Sequence, residues 1–196
     1  MPKGYHQCKF GYGSLNRTKE ILSQTLEANI PIDVQWNDID YMDDRKDFTY
    51  DHKKFHGLPQ FVDQLHQQGL HYIPIIDPGI SSTEKEEYVP YERGLEMDIF
   101  IKNTSGYPFN GRVWTNGETV WPDFTDPKAQ DYWEIMLKSY YDQVKIDGAW
   151  IDMNEPSDFY NGQKHGCDGS KWNQPPYLPR SLAGNSLFHK VSFWKK

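Results

Sequence analysis

Apolar positions along the chain switch between two spacings. In "KEILSQTLEANI" (19–30), Ile21, Leu22, Leu26 and Ile30 recur near the helical period, and Thr18 is the expected N-cap. "PIDVQWND" (31–38) then alternates through Ile32, Val34 and Trp36, as a short strand does. "LPQFVDQLHQQGL" (58–70) returns to the helical period through Phe61, Val62, Leu65 and Leu70, with Pro59 in the first turn and Gly69 near the end. "HYIPIID" (71–77) reads as a second strand, "DPKAQDYWEIMLKSYYDQV" (126–144) as a longer helix capped by Asp126, and "DGAWID" (147–152) as a third strand. "HQCKFGYG" (6–13) is an earlier strand candidate.

Strands alternating with helices imply right-handed βαβ units on a parallel sheet. An open, doubly wound sheet is the alternative to a barrel. Its nucleotide-binding form needs a glycine-rich phosphate loop after the first strand, and Gly11 and Gly13 lack the rest of that pattern. The expected class is therefore α/β, a partial (β/α)8 TIM barrel with about four β/α units and a long excursion after the third strand.

The strands at 31–38, 71–77 and 147–152 end in Asp38, Asp77 and Asp152. Barrel strands open at their C-terminal ends onto one face, where active sites lie. Any one of these aspartates has an ordinary reading as a turn or cap residue, and Asp77 before Pro78 suits a turn. Three in phase point to a site. Converging carboxylates can hold a hard cation or do nucleophilic and acid–base work on a hydroxyl-rich substrate. Trp36, Trp114, Trp121, Trp150, Phe10 and Phe159 lie beside or between them, and flat apolar rings suit a pyranose. Core packing is the competing reading of these rings and the preferred one for Trp133. Arg and Lys are sparse near the strand ends, which disfavours a phosphorylated substrate. The seven His residues show no ligand spacing around the acids, which disfavours a metal-dependent barrel enzyme. A nucleophile needs a fixed direction, and the strand terminus gives Asp152 that rigidity, whereas Glu155 already lies in a loop.

Bulk properties narrow the partners. With 196 residues, the chain suits one domain with a sizeable core. Its net charge of −7 disfavours nucleic acid or an anionic membrane surface. No apolar run approaches the roughly 18 residues of a membrane span, and no signal peptide is visible. Cys8 and Cys167 form no metal-type spacing. Asn16-Arg17-Thr18 and Asn103-Thr104-Ser105 are glycan acceptor triplets.

"WIDMNEPSDF" (150–159) resembles the nucleophile signature of glycoside hydrolase family 31, the α-glucosidases of lysosomal and brush-border type. "PIDVQWNDIDYMDDRKDFTYD" (31–51), "YIPIIDPGISS" (72–82), "YERGLEMDIFIKN" (91–103), "GRVWTNGETVWPDFTDP" (111–127) and "NQPPYLP" (173–179) are similar to the family's segments in order and spacing. The resemblance covers about residues 5–185 and leaves 186–196 as a divergent tail. It implies Asp152 as nucleophile, with Trp150 and Met153 lining the pocket. Asp38 takes the position that bonds sugar hydroxyls, with Ile39 beside it. Ile75 and Asp77 match pocket-lining positions, Trp114 the pocket tryptophan of the excursion, and Phe159 a rim aromatic. Phe10 falls where relatives carry Trp or Tyr. Glu155 is implied to be a structural hydrogen-bonding residue.

The resemblance also implies a retaining α-glucosidase that removes terminal glucose from maltose or starch-type oligosaccharides without a cofactor, within a secretory-pathway parent. In the family the general acid/base and the pocket Arg and His lie on later strands, and the partner of the residue matching Cys167 lies in a run not present here. The 196 residues are thus expected to be a barrel fragment, aggregation-prone and without turnover alone. The alternative is a catalytically silent carbohydrate-binding remnant. Linkage preference, pH optimum and membrane attachment of the parent stay open.

Overall fold

The computed structural model describes residues 4–83 and 87–160. They divide into two compact units, the first built from 4–77 with 133–152 and the second from 78–83, 87–132 and 153–160. Cys167, the 173–179 segment and the 186–196 tail lie outside the described residues.

The first unit carries four parallel strands, β1 (His6–Gln7), β2 (Val34–Asn37), β3 (His71–Ile76) and β6 (Trp150–Ile151), hydrogen-bonded in that order. Each sequential neighbour pairs in parallel, as βαβ connections require. Helix α1 (Leu15–Glu27) starts earlier than the apolar spacing suggests. Its N-cap is Ser14, which accepts from the Arg17 N–H at 3.3 Å, and not Thr18. Thr18 is fully buried inside the helix, where its hydroxyl donates to the Ser14 carbonyl and accepts from Asn37 Nδ2 at 3.1 Å. Tyr72 donates in turn to Asn37 Oδ1. A chain of buried polar groups thus ties α1 to β2 and β3. Helix α2 (Leu58–Gln67) buries Leu58, Phe61, Val62 and Leu65, the periodic positions of its sequence.

The N-terminal pole of this sheet is closed by one carboxylate. Asp147 Oδ2 lies 2.8 Å from His66 Nε2 and accepts from the Tyr72 N–H at 2.8 Å, while Oδ1 lies 3.2 Å from His71 Nδ1. Asp147 therefore faces groups on α2 and β3 at once. The strand expected over 147–152 is regular only at Trp150–Ile151, although the Asp147 N–H still donates to the Tyr72 carbonyl on β3 at 2.9 Å. Burial opposes ionisation of Asp147, but the Tyr72 amide and the two imidazoles outweigh it and hold the carboxyl below its usual range.

The second unit contains the excursion, which the apolar spacing leaves undivided. Its elements are β4 (Ile80–Ser81), α3 (Val89–Glu96) and β5 (Thr119–Val120), with β4 and β5 antiparallel. Phe109, Val113 and Trp121 form its core, packed by Ile101. Trp121 is 1% exposed and so belongs to this core rather than to a sugar-facing surface. Phe100 stacks on Tyr91 and meets Tyr132 edge-on, and Tyr132 donates to the Pro90 carbonyl. Helix α4 (Pro127–Gln143) supplies Tyr132 to this unit and Trp133 to the first. There Trp133 packs edge-to-face on Phe48 at 5.1 Å, in keeping with its reading as a packing residue.

The Asp147 clasp makes acid stability testable. Asp147 has a lowered pKa in the folded chain, so its contribution is complete above the unfolded carboxyl value of about 4 and is lost as pH falls through the folded value. Hydrogen bonds to a charged group contribute about 1.5–3 kcal/mol. Asp147→Ala is expected to lower Tm by roughly 5 °C at pH 7, with the gap closing at acid pH. A gap of constant size from pH 7 to pH 3 would show that the charge contributes nothing.

Candidate active site

The register of the parallel sheet assembles the site. Trp36 pairs with Ile73, Asn37 with Pro74, Ile75 with Trp150 and Ile76 with Ile151. Alternate residues of a strand share a face. Trp36 and Asp38 on β2, Ile73, Ile75 and Asp77 on β3, and Trp150 and Asp152 on β6 therefore project to the same side. All three aspartates sit one residue past the C-terminal end of their strand. Trp36 and Trp150 meet at 5.4 Å between ring centroids, and Trp36 Nε1 bonds His6 Nδ1 at 3.0 Å. Trp36 is consequently half-buried, pinned at its polar edge and open on one flank.

Asp152 is exposed at the tip of β6, and Met153 follows with a φ of 59°. A non-glycine residue in the left-handed region is uncommon, and here it turns the chain sharply after the carboxylate. Asp38 caps the 3₁₀ helix Ile39–Tyr41, its Oδ1 accepting from the Ile39 N–H at 2.7 Å. Burial pushes the Asp38 carboxyl up, the Ile39 amide opposes this, and the charges of Asp40 and Asp152 add to the rise. Ile39 itself is 4% exposed, so it supports the tip from within.

Asp77 shares the face but not the exposure. It is 4% exposed and bonds Asp47, which is 1% exposed; Asp47 Oδ1 also accepts from the Asp77 N–H at 3.0 Å. Burial, and then the neighbouring Asp77 charge, hold Asp47 well above the usual carboxylate range. The pair therefore braces the end of β3 from below. Tyr41 adds a second brace by donating to the Ile75 carbonyl at 2.9 Å, which locks the turn after Asp38 to β3. Phe10 stands 58% exposed on the loop after β1. That loop is held by Asp40, whose two oxygens accept from the Gly11 and Gly13 N–H groups at 3.1 and 2.6 Å. Both glycines have positive φ, the conformation that lets adjacent amides converge on one carboxylate.

Trp114 and Phe159 belong to the second unit and touch each other edge-to-face at 4.8 Å. Glu155 bonds the Ser157 hydroxyl, a local structural contact. Asp40 and Asp47 are supporting carboxylates that sequence reasoning missed. The acidic run after Asp38 was a signal for Asp40, but nothing local distinguishes Asp47 from a solvated acid. Among the described residues no group of three or more His, Cys, Asp and Glu is placed to hold a metal ion, and no helix is long and apolar enough to cross a membrane.

Parallel strands that deliver side chains to their C-terminal ends at one pole are the arrangement of a β/α barrel. The profile of the "Glycosyl hydrolases family 31 TIM-barrel domain" matches residues 2–189, and the chain belongs to that family. It is 43% identical over 182 residues to lysosomal alpha-glucosidase of Mus musculus, covering 92% of this chain and 19% of that protein. It is 44% identical over 183 residues to intestinal sucrase-isomaltase of Homo sapiens, covering 91% of this chain and 10% of the other. Among solved structures, glucosidase II alpha subunit in its DNJ-bound form aligns with a TM-score of 0.73 at 34% identity, over 80% of this chain and 17% of that one. The family 31 alpha-glucosidase from Bacteroides thetaiotaomicron aligns at 0.67 and 37% identity, over 80% and 26%. The chain thus spans about a fifth or less of the length of the curated relatives it matches.

The brace under β3 yields a second pH test. Asp47 has a raised pKa in the folded chain, so its contribution is complete below the unfolded value of about 4 and is lost as pH rises through the folded value. Asp47→Asn keeps an acceptor for the Asp77 amide and a donor for its carboxylate. The variant is expected to match the parent's Tm near pH 4 and to exceed it increasingly towards neutral pH. A difference that does not change with pH would show that Asp47 is not held above the usual carboxylate range.

Proposed function

We propose that this chain supplies the nucleophile side of a retaining α-glucosidase that removes terminal α-linked glucose from maltose or starch-type oligosaccharides. The observation that carries the reading is the exposed Asp152 at a strand tip, on the same face as Asp38, Ile75, Trp36 and Trp150. In the proposed reaction the Asp152 carboxylate attacks the anomeric carbon and forms a glycosyl ester, while a second carboxyl group protonates the departing oxygen; water then releases glucose. Asp38 bonds hydroxyls of the glucose. Ile39, Ile75 and Asp77 shape and support the tips around it, Trp150 and Met153 line the nucleophile, and Trp114, Phe159 and Phe10 supply rings for the C–H faces of the sugar. The general acid is assigned by family resemblance to a strand later than these residues. The lysosomal and intestinal names of the relatives favour a secretory-pathway parent.

Two substitutions test this in a catalytic polypeptide that includes the segment. Asp152→Asn is expected to cut turnover by roughly 10⁴-fold or more, the scale seen when a covalent nucleophile is removed, while inhibitor affinity stays within a few-fold. A fluorinated glucosyl fluoride should label the peptide carrying Asp152. Labelling of another carboxylate would overturn the assignment. Trp114→Ala should instead raise KM by about 2- to 10-fold through lost ring stacking, with a smaller effect on kcat.

A further inference from the structure

Asp158 lies in the nucleophile signature but makes no contact that the proposed reaction uses. It is 6% exposed, and its partners are unusual for a loop carboxylate. Oδ1 accepts from the Arg112 N–H at 2.9 Å, 46 residues away, and from the Tyr160 N–H at 3.0 Å. The next residue, Phe159, donates its own N–H to the Arg112 carbonyl at 2.8 Å. Arg112 therefore has both backbone groups taken by one dipeptide, as in a strand pair, with the Asp158 carboxylate standing where a backbone carbonyl would. Two bonds fix both the slide and the rotation of one segment on the other, whereas one bond would leave a pivot. Two residues beyond Arg112 is Trp114, whose ring meets that of Phe159 at 4.8 Å and 83°. Both rings are partly open to solvent, at 38% and 45% exposure.

The seat for Asp158 is built to its size. A Cβ on Gly111 would lie 2.5 Å from Asp158 Oδ2 and 2.6 Å from Trp121 Cη2, so only glycine admits the carboxylate between the backbone and the buried indole. An Asx turn alone would explain the Tyr160 contact, but it would not explain the bond to Arg112 or the cleared space at Gly111.

We propose that Asp158 is a positioning residue that sets the edge-to-face geometry of Trp114 and Phe159, and through it the ring surface offered to a hexose. The use of that surface rests on the function proposed above; the positioning does not. Removing the acceptor frees the 158–160 turn and lets Phe159 leave Trp114. Neutralising the acid while keeping the acceptor does not.

The test uses the full chain labelled with 5-fluorotryptophan and read by ¹⁹F NMR, with Trp114→Phe assigning the Trp114 signal among the seven. Asp158→Asn retains an oxygen that accepts both N–H groups and is expected to leave that signal in place. Asp158→Glu, which displaces the carboxylate by one methylene, and Phe159→Ala should both move it in the same direction, with the signals of Trp36, Trp133 and Trp150 unmoved. An unmoved Trp114 signal in Asp158→Glu would overturn the proposal, as would a shift in Asp158→Asn equal to that of Phe159→Ala. Titration with 1-deoxynojirimycin forms a separate arm. Asp158→Glu should weaken binding by about 3- to 10-fold, with Asp158→Asn near the parent. If the Trp114 signal follows the Asp158 substitutions but ignores the sugar analogue, the positioning role stands and the ring surface loses its assigned ligand.

Discussion

Parallel register is the constraint on which the first unit depends. Because β1, β2, β3 and β6 run in one direction, their C-terminal ends gather at one pole, and because side chains alternate, every second residue lands on one face. Trp36 and Asp38, Ile75, Trp150 and Asp152 acquire a common side from that geometry without any direct bond among the acids. The opposite face is committed elsewhere: buried Gln7 and Gln35 bond each other, and buried Tyr72 and Asn37 are linked by hydrogen bonds to Thr18 on α1. The strand-tip carboxylates and the buried polar network are thus kept apart by parity.

Gathering carboxylates has an electrostatic cost, and the chain meets it with three different arrangements. Burial raises the Asp38 carboxyl, the Ile39 amide partly compensates, and the charges of Asp40 and Asp152 add to the rise. Asp40 spends its charge on two glycine amides of the Phe10 loop. Asp47 and Asp77 are buried together, where ionisation of Asp47 is suppressed by desolvation and by its neighbour. The same residue type therefore serves as exposed strand-tip group, loop anchor and buried brace, according to what surrounds it. Asp147, at the other pole, is a fourth use: an ionised clasp favoured by an amide and two imidazoles.

Much of this was legible in the sequence, and the limits have physical causes. The helices expected at 19–30, 58–70 and 126–144 and the strands expected at 31–38 and 71–77 are all present with shifted ends, and the three strand-end aspartates follow from phase. Boundaries slipped where tertiary bonds compete with local signals. Thr18 has the chemistry of a cap, but Asn37 recruits it as a buried partner, and Ser14 caps instead. The strand before Asp152 is regular over Trp150–Ile151 alone, with a single further backbone bond from Asp147 to Tyr72. The excursion resisted division because its strands are two residues long, too short for alternation to register. Trp121 illustrates the ambiguity of aromatics: composition cannot separate a buried indole from a sugar platform, and only packing against Phe109 and Val113 places it in a core. Asp47 and Asp158 were illegible for a related reason, since their roles arise from partners about 30 and 46 residues away.

The alternation that sorts side chains between the two faces also governs how such a chain can change over evolutionary time. Losing or gaining a single residue within His71–Ile76 would swap every following side chain to the other face of β3, carrying Asp77 away from Asp47 and the isoleucines into the polar layer. The connection between Ile76 and Trp150 faces no such parity rule. Indels are thus admissible in the excursion and forbidden in the strands, so descendants of this architecture should diversify by loop length while their strand lengths remain frozen.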